Sequence, residues 1–591
     1  MMQANSIIFL FLVNFISWQG MSRQDIFSII FSIIFYNNYV KGMETMVKKI
    51  IACLLVFCIV IVLYNQCTKE SPAKDKKIKV FTAFFDTSGQ QLDSNNKIKM
   101  KIAEITGARC DETWLNGRSR ESAVNDYIAS GEYPDFVPGG KEFLEAGALL
   151  PVDQYWEDYP NIYNYMPQEY WDSLRQDDGH IYWIPQFGVV NGKDCEVVHQ
   201  GEAFWIQTRV LKWAGYPDIR TVKEYFSLVS AYIKANPVME DGRKNIPFTI
   251  LCDDWKFFCL ENVPQFLDGY PNDGCCITDP VTRKVMDYNV TPTAKKYFKL
   301  LNREFKNGII DPESFTSTYE EYLEKLSTGA VLGMVDQWWD FAYDINASYD
   351  NLGLAGMGCS YVPLPITISR DIKNQWHVKR SNELNVSSGI SVTVSCKDVK
   401  GAFQFINDLL GQEVQNLRFW GIKGEDYEAD SNGLFYKTPE QGNRTNNPAL
   451  QTGHFCMYPY FPRIEGISKD GINAFSPEYQ ESIFFDSLAP DVRECFEAYG
   501  CKNYVDMLGG NEQPGKWYPL YSYALNLTYS TEAGRVWKDM DSIKRQWLPR
   551  VVMADDFEEA WDSYMKAYNG CNPGIFFRNL QQELNRRIKS K

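Results

Sequence analysis

Asp336-Gln337-Trp338-Trp339-Asp340 is the stretch whose residue types and spacing best fit a chemical task. Two adjacent indoles offer flat apolar faces. Two carboxylates and an amide beside them offer fixed acceptors. A sugar needs both kinds of group, because its C–H faces are apolar and its rim carries hydroxyls. Trp338 and Trp339 therefore read as stacking platforms, and Asp340 or Asp336 as hydroxyl acceptors. The bland alternative packs one indole into a core and lays the other over a hinge. Asp86, Trp255 of Asp253-Asp254-Trp255, Trp183 and Trp420 are further candidates. For Trp183 and Trp420 the competing readings are hinge packing and a helix end. Asp253 and Asp254 also fit a solvated turn.

These residues need elements to hold them. Ile78 and Val80 alternate with lysines and lead into Phe81–Phe85, a strand that would carry Asp86 at its end. Ile98, Ile102 and Ile105 recur at helical spacing before Gly107. Ala108–Trp114 is a second strand, Ser119–Ser130 a helix stopped by Gly131, and Tyr133–Val137 a third strand. This β-α-β-α-β order predicts an open, mainly parallel sheet with ligands at the carboxyl ends of its strands. Further on, Thr221 and Glu224 form a capping box, Pro292–Asn307 is an amphipathic helix, and Tyr319–Leu326 another. The apolar run Ala330–Val335 then delivers the pentad at its carboxyl end.

The chain has 591 residues, 45% hydrophobic and 23% charged, which excludes a mainly disordered chain. Asp and Glu total 75 against 60 Lys and Arg, so the footprint for a phosphate backbone is missing and no nucleic-acid partner is expected. Four histidines leave little for a His-rich metal site, and neither metal nor cofactor is expected. With 16 Trp, 35 Tyr and 36 Phe, the composition itself points to ligands with flat apolar faces.

Residues 46–66 have the layout of an export signal: Lys48 and Lys49, an apolar run from Ile50 to Leu63, then Cys67. Cleavage before Cys67 and lipidation on it would tether the protein to a membrane surface; the alternative is an uncleaved amino-terminal transmembrane anchor. Gln66 departs from the small residue usual at that place. Residues 1–45 read as a non-native upstream extension, with Met43 or Met46 as the true start, and 67–76 as a flexible linker. Twelve of the 15 cysteines follow Cys67 at spacings that fit no zinc pattern, so they read as buried free thiols, with one or two disulfides left open.

Several stretches then align with one family. They are Tyr133-Pro134-Asp135, Gly179-His180-Ile181-Tyr182-Trp183-Ile184-Pro185, Asn307-Gly308-Ile309-Ile310-Asp311-Pro312, Gly333 to Trp339, Trp420-Gly421-Ile422-Lys423-Gly424, and the terminal pattern from Phe557 to Ile588. In their order and spacing the chain resembles the extracellular solute-binding proteins of bacterial ABC sugar importers, in the lipoprotein branch that serves oligosaccharides. The resemblance implies an α/β fold of two lobes, each a mainly parallel sheet flanked by helices, joined by a multi-strand hinge. It implies a first lobe over 77–188, a second over 189–335, and residues 336–591 returning to the first lobe and completing both. Asp86 would then be the first-lobe acceptor and Trp255 a second-lobe platform. It also implies an oligosaccharide ligand, an ABC permease as partner, a monomer, and a place on the extracellular face of the membrane. Some relatives carry an EF-hand-type calcium loop where this chain has Asn236–Pro247; Val238 and Lys244 stand at ligand places, so no tight calcium site is expected.

A secreted glycoside hydrolase is the rival from another class, with Asp336 and Asp340 as its first suspects. The β-α units do not repeat as a barrel would, and no Gly-x-Ser-x-Gly elbow is present. A surface adhesion protein without a small ligand is the third reading.

Overall fold

The computed structural model describes residues 78–589 apart from 191–192, 196, 383, 446, 510–512 and 516, and leaves the side chains of 346, 347, 350, 448 and 449 aside. The readings on residues 1–77, Cys67 among them, lie outside the described residues. Among the described residues no helix is long and apolar enough to cross a membrane.

Local sequence chemistry sets the first elements. Strand β1 (Lys79–Phe84) leads to helix α1 (Lys97–Thr106), whose amino end is capped by the Asn96 side chain. Gly107, at φ 72°, closes it in a left-handed turn that other residues enter only with strain. Strand β2 (Ala108–Thr113) follows, then α2 (Arg120–Ser130), capped by Ser119 and ended by Gly131. Strand β3 (Phe136–Gly139) and the short α3 (Lys141–Glu145) come next.

The chain then builds a second body. It contains β4 (Glu202–Gln207) and α4 (Val222–Ala235), with both bonds of the Thr221–Glu224 capping box formed. Helix α5 (Pro292–Lys306), α6 (Tyr319–Ser327), β5 (Gly333–Gln337), α7 (Trp338–Asn351) and β6 (Tyr361–Leu364) continue it. Strand β7 (Gly389–Val392) and α8 (Val399–Leu409) go back to the first body. Helices α9 (Glu532–Met553), α10 (Phe557–Gly570) and α11 (Gly574–Lys589) finish the second.

Two separate hydrophobic cores result, and the architecture is two-lobed α/β. One core gathers Phe81, Phe136, Trp171, Trp183, Ile390, Phe405 and Phe461. The other gathers Trp205, Phe248, Leu332, Phe341, Trp376, Phe496 and Trp561. The sheets are small and mixed. In the first lobe the order is β2-β1-β3-β7, with β1 parallel to β2 and β3, and β7 antiparallel at the edge. In the second the order is β5-β4-β6, with β4 antiparallel to both neighbours, so this lobe lacks the mainly parallel sheet expected of each.

The chain passes between the cores through segments 189–197, 376–384 and 461–474. The return to the first lobe comes after Trp376, not at Asp336 as expected, because α7 and β6 still pack into the second core. Glu465 ties the crossings together. Its buried carboxylate accepts from Gly188 N at 3.1 Å, Arg380 Nε at 2.6 Å and Arg463 Nε at 2.8 Å. Burial alone would raise its pKa, but the two guanidiniums outweigh that and bring it down to about 2. Ser381 adds a tie by donating from Oγ to Asp194 at 2.5 Å.

Candidate functional site

Strand β5 runs straight into helix α7, so the pentad is split between them. Asp336 and Gln337 end the strand; Trp338, Trp339 and Asp340 form the first helical turn. An anion in that position is favoured by the helix dipole.

Asp336 is not available to a ligand. It is fully buried, and its carboxylate accepts from Tyr322 Oη at 2.7 Å, Gln337 N at 2.7 Å and Cys259 Sγ at 3.2 Å. Trp183 and Trp420, both 1% exposed, are core residues rather than platforms. Trp183 packs hard against Gly139 and donates to Val386 O at 3.1 Å; Trp420 donates to Ala474 O at 3.0 Å between Tyr427 and Phe435. Their indoles are committed to holding the fold.

The second-lobe wall is built around Trp339. A helical turn at Asp254–Phe257 lays Trp255 parallel to it, with ring centroids 5.8 Å apart and 10° between planes. Trp255 is 37% exposed. The Trp339 indole N–H donates to Gln337 Oε1 at 2.5 Å, which fixes the ring. Behind the pair lies buried Lys256. Its ammonium is 4.5 Å from the Trp255 ring centre, 3.9 Å from that of Tyr319 and 5.4 Å from that of Trp339, and it pairs with Asp340. Cation–π attraction and the ion pair together make the platform rigid. Asp340 is itself buried, and its Oδ2 has no hydrogen-bond partner. Burial raises the Asp340 carboxyl despite Lys256, and burial with the nearby Asp340 charge raises Asp336. Tyr319 donates to Asp340 O at 2.7 Å and to Asp344 Oδ2 at 3.3 Å.

Trp338 is partly buried against the second core and meets Tyr343 edge-on at 4.9 Å. Tyr343 donates to Glu478 at 2.9 Å and accepts from Gln200 at 2.9 Å. Desolvation raises its hydroxyl pKa strongly, yet 44% of its surface is open.

The first lobe holds the remaining candidate, Asp86. Asp86, just beyond β1, accepts from Arg120 Nε at 2.7 Å, and Arg120 also donates to Glu142 at 2.8 Å. Phe85, Trp114 and Tyr460 form an aromatic cluster with centroids 5.3 to 5.6 Å apart. Burial raises the Tyr460 hydroxyl most, and the carboxylates of Asp86 and Asp340 raise it further. The lobes also touch at the rim, where Thr528 of the second donates to Glu145 of the first at 2.9 Å.

The structure thus places Trp339 against Trp255, with Trp338 beside them in the chain, and holds Asp86 in the other lobe; Asp340, 1% exposed and paired with Lys256, is closed in like Asp336, Trp183 and Trp420 rather than open as the hydroxyl acceptor expected. Sequence reasoning missed Lys256, Arg120, Tyr319, Tyr343 and Tyr460. A lysine directly after Trp255 was the available signal for the first; the run Tyr458-Pro459-Tyr460-Phe461 was the signal for the last.

In the Asn236–Pro247 loop, Asp241 pairs with Arg243, and Val238 bridges to Lys244.

No family model matches the sequence, and no curated protein matches it. Solved structures do. The S. pneumoniae ABC-transporter substrate binding protein FusA, an EF-hand mutant in complex with fructo-nystose, superposes with a TM-score of 0.61 at 16% identity, over 87% of this chain and 100% of that one. An extracellular solute-binding protein from Bifidobacterium longum subsp. infantis gives 0.56 at 14%, over 86% and 98%. The alginate-binding protein AlgQ2 without calcium ion gives 0.56 at 16%, over 88% and 100%.

The fold is that of two-lobed solute-binding proteins. At these identities the likeness speaks for the fold, and the function has to be argued from the cleft.

Proposed function

We propose that the protein is the substrate-binding component of an ABC importer. It captures an extracellular oligosaccharide between its lobes and passes it to a membrane permease, without making or breaking a bond. The observation that carries this is the nearly parallel Trp255–Trp339 pair of the second lobe, with Trp255 37% exposed, while the first lobe offers Asp86 and Arg120 near an aromatic cluster of Phe85, Trp114 and Tyr460. Indole faces take the C–H face of a sugar, and the polar rim takes its hydroxyls. The ligand lands on one wall, the lobes turn about the Glu465 hinge, and the other wall closes over it. A micromolar constant needs about 8 kcal/mol, which a few such contacts supply after ordering costs. Closure follows ligand only if the closed state binds it better. The neighbouring FusA structure, in complex with fructo-nystose, supports this reading. In it the mature chain sits on the extracellular membrane face through a lipid on Cys67.

A hydrolase built on Asp336 and Asp340 finds no support in the geometry. Asp336 is buried and fully engaged, so the pair cannot flank a glycosidic bond.

Tryptophan fluorescence titrated with a panel of oligosaccharides tests the proposal, with chromatography of each sugar afterwards. Saturable change with intact sugar is the expected result. Shortened products would move the assignment to a hydrolase, and a flat response across the panel would remove the carbohydrate reading.

A further inference from the structure

A cavity of about 340 Å³ lies between the 461–474 crossing and the helix Gln412–Phe419. That volume suits a small molecule. It shares no residue with the Trp255–Trp339 pair. Val414 and Leu417 root the helix in the first core, and Gln412, Gln415 and Asn416, on its other face, line the cavity. Ser468 and Lys469 of the crossing line it as well, and Ile464, Ile467 and Phe475 supply apolar walls.

Hydrogen bonds fix which end of each amide is left over. Gln415 is 6% exposed, and its Oε1 accepts from Ile464 N at 3.0 Å. A backbone N–H can only donate, so the atom it meets must be the amide oxygen. The Gln415 NH2 then has no partner among the described residues. The same logic runs along the helix. Gln412 Oε1 accepts from Lys469 N at 3.4 Å, Gln412 Nε2 donates to Asn416 Oδ1 at 2.8 Å, and the Asn416 NH2 is left over. The Lys469 ammonium and the Ser468 hydroxyl are uncommitted too among the described residues. A free lysine at a surface is ordinary. An amide NH2 on a side chain this deeply buried asks for an acceptor.

The charges nearby leave the lining cationic. Lys469 is its charged residue. Asp470 lies off the lining and accepts from Ile472 N, Asn473 N and Asn473 Nδ2 at 3.0, 2.9 and 2.7 Å. Glu413 is exposed off the lining, and Lys193, whose carbonyl meets Ile467 N, pairs with Glu481 at 3.8 Å. The cavity therefore presents spare donors beside spent acceptors. A carboxylate only accepts, and it takes several donors at once. The isoleucines and Phe475 suit a short hydrocarbon body. We propose that this cavity is a separate binding site, beside the hinge, for a small monocarboxylate with an apolar body.

Saturation-transfer NMR of the purified protein with butyrate and benzoate tests this, each titrated beside its neutral amide at matched ionic strength. Saturable binding of a carboxylate, with its amide clearly weaker, is the expected result. Gln415→Glu keeps an oxygen for Ile464 N and replaces the donor with a repelling oxygen. Lys469→Ala removes the ammonium at an exposed position. Each is expected to weaken carboxylate binding by about tenfold, the scale of one hydrogen bond to a charged group. Thermal melts check that both variants are folded, and if Gln415→Glu is not, Lys469→Ala carries the test. Three outcomes would overturn the proposal: no binding of either carboxylate, amides binding as tightly as the acids, or carboxylate binding that the folded variants leave unchanged.

Discussion

Trp255 and Trp339 lie nearly parallel, 10° apart in plane, although one comes from a short turn before α5 and the other from the first turn of α7. Lys256 makes this possible. A single ammonium touches both rings and neutralises Asp340 beneath them, so the platform is assembled before any ligand arrives.

Replacing either indole should therefore hurt binding more than folding. Trp339→Ala or Trp255→Ala is expected to cost about 1–2 kcal/mol of ligand affinity, roughly tenfold. Calorimetry with the best-binding sugar measures the loss. Because Trp255 is 37% exposed, its variant should melt close to the parent. Unchanged affinity in both variants would remove them from the site.

Lys256 should behave in the opposite way. Lys256→Met leaves the buried Asp340 carboxylate without its counter-ion, which is expected to cost about 3–5 kcal/mol of stability. Adding Asp340→Asn should restore much of it, since no buried charge then remains unpaired. Denaturant melts of the two single variants and the double variant close the cycle. Additive losses would show that the pair is not coupled.

Acid should loosen the second lobe through His199. This ring is buried, stacks on Trp205, hydrogen-bonds through Nε2 with Glu202 O at 3.1 Å, and faces the His377 ring at 3.3 Å. Burial first, then His377, pulls its pKa down to about 3. The folded protein thus holds it neutral while the unfolded chain takes up a proton near pH 6.5. Its stability contribution is complete above pH 6.5 and declines as pH falls from there toward 3. Melting temperatures at pH 7.5 and 4.5 should show this decline in the parent and a smaller one in His199→Gln. An equal decline in both would assign the acid sensitivity elsewhere, for instance to the carboxylates of Glu465 or Glu583, both held below their ordinary range by arginines.

Much of the local structure was legible. The Thr221–Glu224 capping box forms as read, and Gly107 and Gly131 end their helices for lack of a Cβ. The β-α-β-α-β succession of the first lobe was legible as well, whereas its antiparallel edge strand β7, far along the chain, was not. The site was half legible. Residue type marked Trp255, Trp338 and Trp339, but type cannot tell a platform from a core indole. Trp183 and Trp420 are chemically identical to them and sit inside. What separates the two groups is contact with residues distant in sequence: Gly139 and Val386 for Trp183, Ala474 for Trp420. Lys256 was passed over because a lone lysine usually means solvent. Only the fold shows that rings and a carboxylate from two other segments converge on it.

The interleaved crossings have a consequence for how the chain can come into being. The first core needs β7 and Phe461 as well as β1, and the second needs α11 as well as β4. Neither lobe is a continuous stretch of sequence. A chain made or exported from its amino end cannot finish the first lobe until residue 461 has emerged, nor the second until Leu584 has. Most of the polypeptide must therefore be clear of the machinery before stable structure can lock, which keeps it threadable through a narrow pore. The same interleaving means that no single truncation can yield one intact lobe.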